Sequence, residues 1–286
     1  MKSKNCILCS SINFEKSHSI IYEEKEYIYD YCKDCTFTFQ NPWPDQNVEE
    51  IYNNSKYWNS TNVYNQDKKN KTNNSVSSYA GYQNNRFIEA KKRYEKLIKY
   101  FAKEGSVLEI GCANGIFLNE FSKKGWECLG VDPAREMIEI GKKKFNLNLI
   151  ASKWEDIKIE DESKDLIYMW GTDGNFYQFQ YGFEKIRKKL KENGIYAFTY
   201  QDFKHPIRKI FNQIKLQHHV LYNFSKYSVL YLLKKMNFEI LEHKMTWQHS
   251  RLSHIKKILG IDTSGIDFNI KIPAVSYNII IARKKN

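Results

Sequence analysis

A chain of 286 residues is long enough for one sizeable domain and one small one. Its 45 Lys and Arg against 33 Asp and Glu leave a net charge of +12, which raises nucleic acid as a partner. The basic residues are scattered, however, as in Lys91-Lys92-Arg93, Lys142-Lys143-Lys144 and Lys188-Lys189, and the abundance of Lys, Asn, Ile and Tyr is what an AT-rich genome favours; nucleic acid is not the expected substrate. No run approaches about 18 apolar residues, so no membrane span is expected, and the opening MKSKNCILCSS has no apolar signal core, which points to the cytoplasm.

The first element in chain order is a pair of cysteine knuckles. Cys6-x-x-Cys9 and Cys32-x-x-Cys35 can each place two thiolates on one turn, and two such turns make a tetrahedral Cys₄ zinc site. Disulfides are the alternative, and a cytoplasmic chain disfavours them. A closed Cys₄ site leaves no open coordination position, so the metal is expected to be structural, standing in for the core that so short a segment cannot build. The 22 residues between the pairs suit a hairpin: Ser19-Ile20-Ile21-Tyr22, an acidic turn at Glu23-Glu24-Lys25-Glu26, then Tyr27-Ile28-Tyr29. Phe37, Phe39 and the turn Asn41-Pro42-Trp43-Pro44 close this unit, expected over residues 1–45.

A linker with helical pieces is expected over 46–103. Val48 to Tyr52 reads as a short helix capped near Asp45. Residues 53–83 lack periodicity yet carry Tyr57, Trp58, Tyr64, Tyr79 and Tyr82, suiting either a lid or packing on the N-terminal unit. Residues 84–103 place Phe87, Ala90, Tyr94, Leu97, Ile98 and Phe101 at helical spacing.

Residues 106–137 carry the most information. The strand Val107-Leu108 leads into the turn Gly111-Cys112-Ala113-Asn114-Gly115, then a helical pattern of Ile116, Phe117, Leu118 and Phe121, then a strand Cys128-Leu129-Gly130-Val131 that ends on Asp132. This is the layout of a nucleoside-binding half of a doubly wound sheet, with an acid placed to accept from ribose hydroxyls. A dinucleotide turn would read G-x-G-x-x-G so that a pyrophosphate can rest on a helix N-terminus. Here the string is Glu109-x-Gly111-x-Ala113-x-Gly115, and an acid before the first glycine repels phosphate and suits an ammonium or sulfonium. Ala113 in place of a middle glycine implies a negative φ there. Cys112 and Cys128 sit at positions where a small buried residue is common, and neither reads as a nucleophile.

The alternation continues. Pro133 stands near a helix start, and Met137, Ile138, Ile140 and Phe145 give that helix an apolar face. Strands follow at Leu147 to Ile150 and at Asp165 to Trp170, a helix carries Phe183, Ile186 and Leu190, Asn193-Gly194 breaks it, and Ile195 to Tyr200 is a fifth strand. A helix at 225–236 and strands at Phe238–Leu241 and Val275–Ile281 end the chain, the last two lacking a helix between them and so pairing antiparallel. The pattern is that of a three-layer α/β domain over 104–286.

The E-x-G-x-A-x-G turn and Asp132 resemble the cofactor motif of class I S-adenosylmethionine (SAM)-dependent methyltransferases. The chain as a whole resembles the subgroup with an N-terminal Cys₄ zinc ribbon, in Asn41-Pro42-Trp43-Pro44, Asp165-Leu166-Ile167, the Leu190 to Gly194 turn and His219 to Phe238. The resemblance implies a Rossmann-like seven-stranded sheet with a small zinc ribbon, SAM and structural Zn²⁺ as cofactors, and transfer of methyl to a small molecule. A hydroxyl of a sugar or nucleotide-sugar in bacterial surface-polysaccharide synthesis is the leading acceptor. Methylation at carbon of a sugar or other metabolite, RNA methylation with the ribbon holding RNA, and a vestigial binding protein are the other readings. It also implies that Glu109, Gly111, Cys112, Ala113, Gly115, Asp132, Pro133 and Trp170 hold SAM, with Trp154 flanking the adenine and Glu155 or Asp156 near its amino group. The subgroup often shows a His-x-x-x-Glu-His run after the fourth strand; this chain has Gly171-Thr172-Asp173-Gly174-Asn175-Phe176 instead. The base for an acceptor proton is expected at His219, with His218, Tyr222, His205 and Asp202 as alternatives. Acceptor choice is expected in residues 53–83, 203–224 and 248–274. Oligomeric state is not legible.

Overall fold

A computed structural model describes residues 3–22, 24–43, 52–53, 83–205, 219–251 and 269–286. The expected helix at 48–52 lies outside these residues except for Tyr52, as does the 53–83 segment except for its two ends, and as does His218.

Seven strands form one mixed sheet. In chain order they are β4 (Ser106–Ile110), β5 (Glu127–Asp132), β6 (Leu149–Ala151), β7 (Lys164–Met169), β8 (Leu190–Gln201), β10 (Phe238–Arg251) and β11 (Asn269–Lys284), arranged β10-β11-β8-β7-β4-β5-β6. The strands from β8 to β6 run parallel, while β11 pairs antiparallel with both β8 and β10. Parallel strands buried on both faces read as apolar runs, and alternate residues supply the two layers. Val107, Leu166, Ile195, Ala197, Ile279 and Ile281 enter one core with α1 (Gln83–Leu97), α2 (Leu118–Ser122) and Ile138 of α3 (Arg135–Phe145). Leu108, Ile167, Tyr196, Phe198, Ile280 and Ala282 enter the other, with α4 (Phe179–Lys189) and α5 (Lys226–Lys235). α5 starts on a reciprocal cap, Ser225 accepting from Ser228 N–H while Ser228 accepts from Ser225 N–H. None of the helices among the described residues is long and apolar enough to cross a membrane.

The break expected at Asn193-Gly194 lies inside β8 rather than at the end of α4. The helix stops at Lys189, Leu190 already pairs with Lys164, and the register jumps to Leu166 opposite Ile195. Residues 191–194 loop out of the ladder, with Asn193 in the left-handed region at φ 60°.

The N-terminal unit is a hairpin of β1 (Phe14–Tyr22) and β2 (Lys25–Cys32), followed by β3 (Thr38–Gln40). Its strands are longer than the sequence pattern suggests, and Lys25 and Glu26 lie in β2 rather than in the turn. The unit is not separate from the rest. β3 pairs with β9 (Tyr222–Asn223), so a residue pair from the far half of the chain completes its sheet. The Gln40 N–H donates to Leu221 O at 2.9 Å, the Tyr29 hydroxyl to Val220 O at 2.7 Å, and Trp43 Nε1 to Tyr177 O at 2.9 Å. Phe37, fully buried, packs on Phe179, Tyr222 and Phe224. The four knuckle cysteines border the same hydrophobic core as α4 and α5.

Candidate donor pocket and cysteine cluster

In a parallel sheet the carboxyl ends of neighbouring strands share one edge, and a crevice opens there. A pocket at the ends of β4, β5 and β7 is lined by Glu109, Gly111, Cys112, Ala113, Asp132, Pro133, Ser152 to Glu155, Trp170 to Thr172, Asn175 and Phe176. Tyr52, Arg86 and Phe117 close its rim.

The turn after β4 is shaped for close approach. Gly111 has φ +73°, and a Cβ there would fall 2.1 Å from Thr172 Cγ2. Ala113, contrary to the negative φ expected, sits in the left-handed region at φ 47°. That conformation costs an L-residue about 1–2 kcal/mol; here the Ala113 N–H is held by Asp132 Oδ2 at 2.9 Å. The other oxygen, Oδ1, accepts from Ala134 N–H at 2.8 Å. Each carboxylate oxygen retains a lone pair for a hydroxyl. Burial pushes the Asp132 carboxyl up to about 6.

Glu109 is buried at the pocket floor and accepts from the Tyr168 hydroxyl at 3.1 Å. Burial pushes it up to about 8, against the pull of Tyr168, Arg93 and Arg86. Arg93 of α1 lies over the rings of Phe117 at 4.4 Å and Trp170 at 5.0 Å, and burial brings it down to about 10. Arg86, two turns earlier on the same face of α1, lines the pocket itself and suits a ligand carboxylate.

Tyr52 and Asn53, from the N-terminal half, border the pocket at Pro133. Asn53 Nδ2 donates to Pro133 O at 3.2 Å, and Asn53 Oδ1 accepts from Arg135 N–H at 3.0 Å, which caps α3 from outside. Tyr52 packs with Ala134, Met137 and Ala113.

The segment expected around the adenine is rigidly built. Lys185 Nζ donates to the carbonyls of Trp154, Glu155 and Ile157, and Trp154 Nε1 donates to Gly182 O at 2.8 Å. Glu155 Oε1 accepts from the N–H groups of Tyr177 and Gln178, fixing the entry to α4. Asp156 pairs with Lys153 at 3.1 Å and stands apart from the lining, whereas Ser152, Lys153, Trp154 and Glu155 belong to it.

The expected bases separate. His219 is buried with its ring edge-on to Tyr52, centroids 6.2 Å apart, so it touches the pocket through that tyrosine. Tyr222 is enclosed by Phe37, Trp43, Phe179 and Phe224, and its oxygen accepts from Phe176 N–H at 3.2 Å. Burial pushes its hydroxyl well above the usual range, which ill suits a proton acceptor. Asp202 Oδ1 accepts from Lys204 N–H and Lys226 N–H. Sequence reasoning missed Tyr52, Arg86, Thr172, Asn175 and Phe176 as lining residues, and read the loop holding Asp173 only as a departure from a motif.

At the ribbon, the sulfurs of Cys6, Cys9, Cys32 and Cys35 all lie within 4.8 Å of one another, with 3.6 Å between Cys6 and Cys35 and between Cys9 and Cys32. A tetrahedral zinc with Zn–S of about 2.3 Å requires S···S separations of about 3.8 Å, so the four residues fit the ion. The contact with Cys35 lowers the Cys6 thiol, while burial raises that of Cys9. Outside the cluster, burial raises Cys128 to about 12 and Cys112 well above the thiol range, so both are inert.

Residues 82–243 match the family model described as a methyltransferase domain. No curated protein matches. Among solved structures, a Bacillus halodurans protein described as a methyltransferase aligns with a TM-score of 0.52 at 13% identity, covering 68% of this chain and 100% of its own. A Listeria monocytogenes protein described as an S-adenosylmethionine-dependent methyltransferase gives 0.51 at 17% identity, covering 69% and 100%. At such identities the likeness concerns the fold.

Proposed function

Because this chain belongs to the methyltransferase-domain family that its residues 82–243 match, we propose that it transfers the methyl group of SAM to a hydroxyl of a sugar or nucleotide-linked sugar, in the cytoplasm, for bacterial surface polysaccharide. The observation that carries SAM binding is the Asp132 carboxylate, held by the Ala113 and Ala134 amides and facing the same pocket as Glu109. When bound, SAM supplies a methyl already activated on a sulfonium. Asp132 accepts from its ribose hydroxyls, and Glu109, which keeps its proton up to about 8 in the free protein, ionises against the positive charge of the donor. Gly111 lets the backbone approach without a Cβ in the way. Ser152, Lys153 and Trp154 border the adenine, and Arg86 receives the carboxylate of the amino-acid end.

The protein's work is alignment and exclusion of water. Tyr52 borders the pocket with Asn53 bonded beside it, and Phe117, Trp170 and Phe176 make its walls apolar. The sugar acceptor is supported by the resemblance to ribbon-bearing enzymes. The four ribbon cysteines would hold one structural Zn²⁺. A panel of UDP-, GDP- and dTDP-hexoses incubated with methyl-labelled SAM tests this reading. A product heavier by one methyl, lost with Asp132→Ala, supports it; calorimetry that detects no SAM binding overturns it.

A further inference from the structure

Two stretches of chain are fastened together at one wall of the donor pocket. Glu155 Oε1 accepts from the N–H groups of Tyr177 at 2.7 Å and Gln178 at 3.2 Å. On α4, Gly182 serves both stretches. Its carbonyl accepts from Trp154 Nε1 at 2.8 Å, and a Cβ there would fall 2.8 Å from Phe176 Cδ2, so the Phe176 ring presses on bare backbone. Residues 152–155 and 175–176 therefore line adjoining parts of the same pocket.

On this wall, Asn175 Oδ1 is buried and has no hydrogen-bond partner. A buried acceptor left unpaired costs the folded chain free energy, and in a native structure it calls for a reason. The residue is not free to turn away. Phe176, next in the chain, donates its N–H to the Tyr222 hydroxyl at 3.2 Å, and Tyr177 is held by Glu155. The acids expected to meet the adenine amine are engaged elsewhere. Asp156 pairs with Lys153 and stands apart from the lining, and Glu155 gives Oε1 to the two amides that fix the loop. Asn175 Oδ1 is an acceptor still to be filled, beside the residues that border the adenine.

We propose that Asn175 is a specificity residue for the donor: its Oδ1 accepts a hydrogen from the exocyclic amine of the adenine, an inference that rests on the SAM reading. The buried carbonyl gains its partner only when the nucleoside is bound. The cost of the unpaired acceptor thus falls on the free protein and is lifted in the complex. A nucleoside without that amine leaves the acceptor unpaired, and the site rejects it for that reason.

The test measures binding alone, by calorimetry on the full-length protein. The two ligands are S-adenosylhomocysteine and its deaminated analogue, which carries hydrogen in place of the adenine amine. Wild type should bind S-adenosylhomocysteine about 10- to 100-fold more tightly than the analogue. Asn175→Leu, close in shape but without the carbonyl, should bind the two within about threefold of each other, because S-adenosylhomocysteine is weakened and the analogue is not. Both constants come from one preparation, so their ratio does not depend on the stability of the variant. Asn175→Ala supplies the same ratio if the leucine variant does not fold. Wild type that binds the two ligands equally, or a variant that keeps the wild-type ratio, overturns the assignment of Asn175 and leaves the SAM reading standing. Wild type that binds neither ligand overturns the SAM reading and this assignment with it.

Discussion

The N–H of Ala113 donates to Asp132 Oδ2, 19 residues further along the chain, at 2.9 Å. One acid thereby fixes the turn after β4 and, in the function proposed above, faces the ribose of the donor. The second oxygen starts α3 at Ala134, so turn, strand end and helix start share a single carboxylate.

Asp132→Ala removes two charge-assisted backbone contacts and two ribose contacts. The expected loss in SAM affinity is about 3 kcal/mol, roughly a hundredfold in Kd, measured by calorimetry. Ala113→Gly should leave Tm the same or slightly higher. It relieves a left-handed alanine, about 1–2 kcal/mol, against about 0.4–1 kcal/mol of extra freedom in the unfolded chain. A Tm lowered by many degrees would show that the alanine methyl, not the backbone, is what the site needs.

Proton release should accompany SAM binding. Glu109 and Asp132 ionise at about 8 and about 6 in the free protein, both above their ordinary values. The folded chain thus keeps protons that the unfolded chain loses. These two groups stabilise most in acid, and their contribution falls as pH rises through about 6 for Asp132 and about 8 for Glu109. A bound cation and two ribose hydroxyls favour the carboxylate forms. SAM should therefore bind more tightly at pH 8 than at pH 6, releasing about one proton near pH 7. Calorimetry in buffers of different ionisation enthalpy measures this, and a binding enthalpy independent of buffer would contradict it.

The wild-type protein should carry about one zinc per chain, and Cys32→Ser should carry less, with a lower Tm. The effect should reach methyl transfer more strongly than SAM binding. The Gln40 N–H holds Leu221, and Leu221 N–H holds Gly174 in the loop after β7, whereas the donor pocket rests on the β4 and β5 ends. Metal analysis, SAM calorimetry and turnover of the same variant separate these effects.

The donor turn was legible because its chemistry is local: Glu109, Gly111 and Asp132 declare a strand–turn–strand unit by spacing alone. The cysteine pairs were legible for the same reason. Ala113 misled because its conformation is set by a partner 19 residues away and not by its own preference. Arg86 and Tyr52 line the pocket from other parts of the chain, Asn53 is bonded to Pro133 beside them, and nothing in their neighbourhood in the sequence marks them. Tyr222 looked reachable beside His219, yet an aromatic at a two-residue strand is drawn inward once β3 pairs with it.

The hydrogen bond from Tyr29 to Val220 spans 191 residues. On a ribosome, the cysteine-bearing segment therefore waits for a strand made 191 residues later, its four thiols and the Phe37 ring without their final neighbours throughout. Such long closures are slow to form. Early metal capture would keep those sulfurs from oxidants during the wait, and expression under zinc limitation should send the nascent protein to aggregation rather than to a folded apo form.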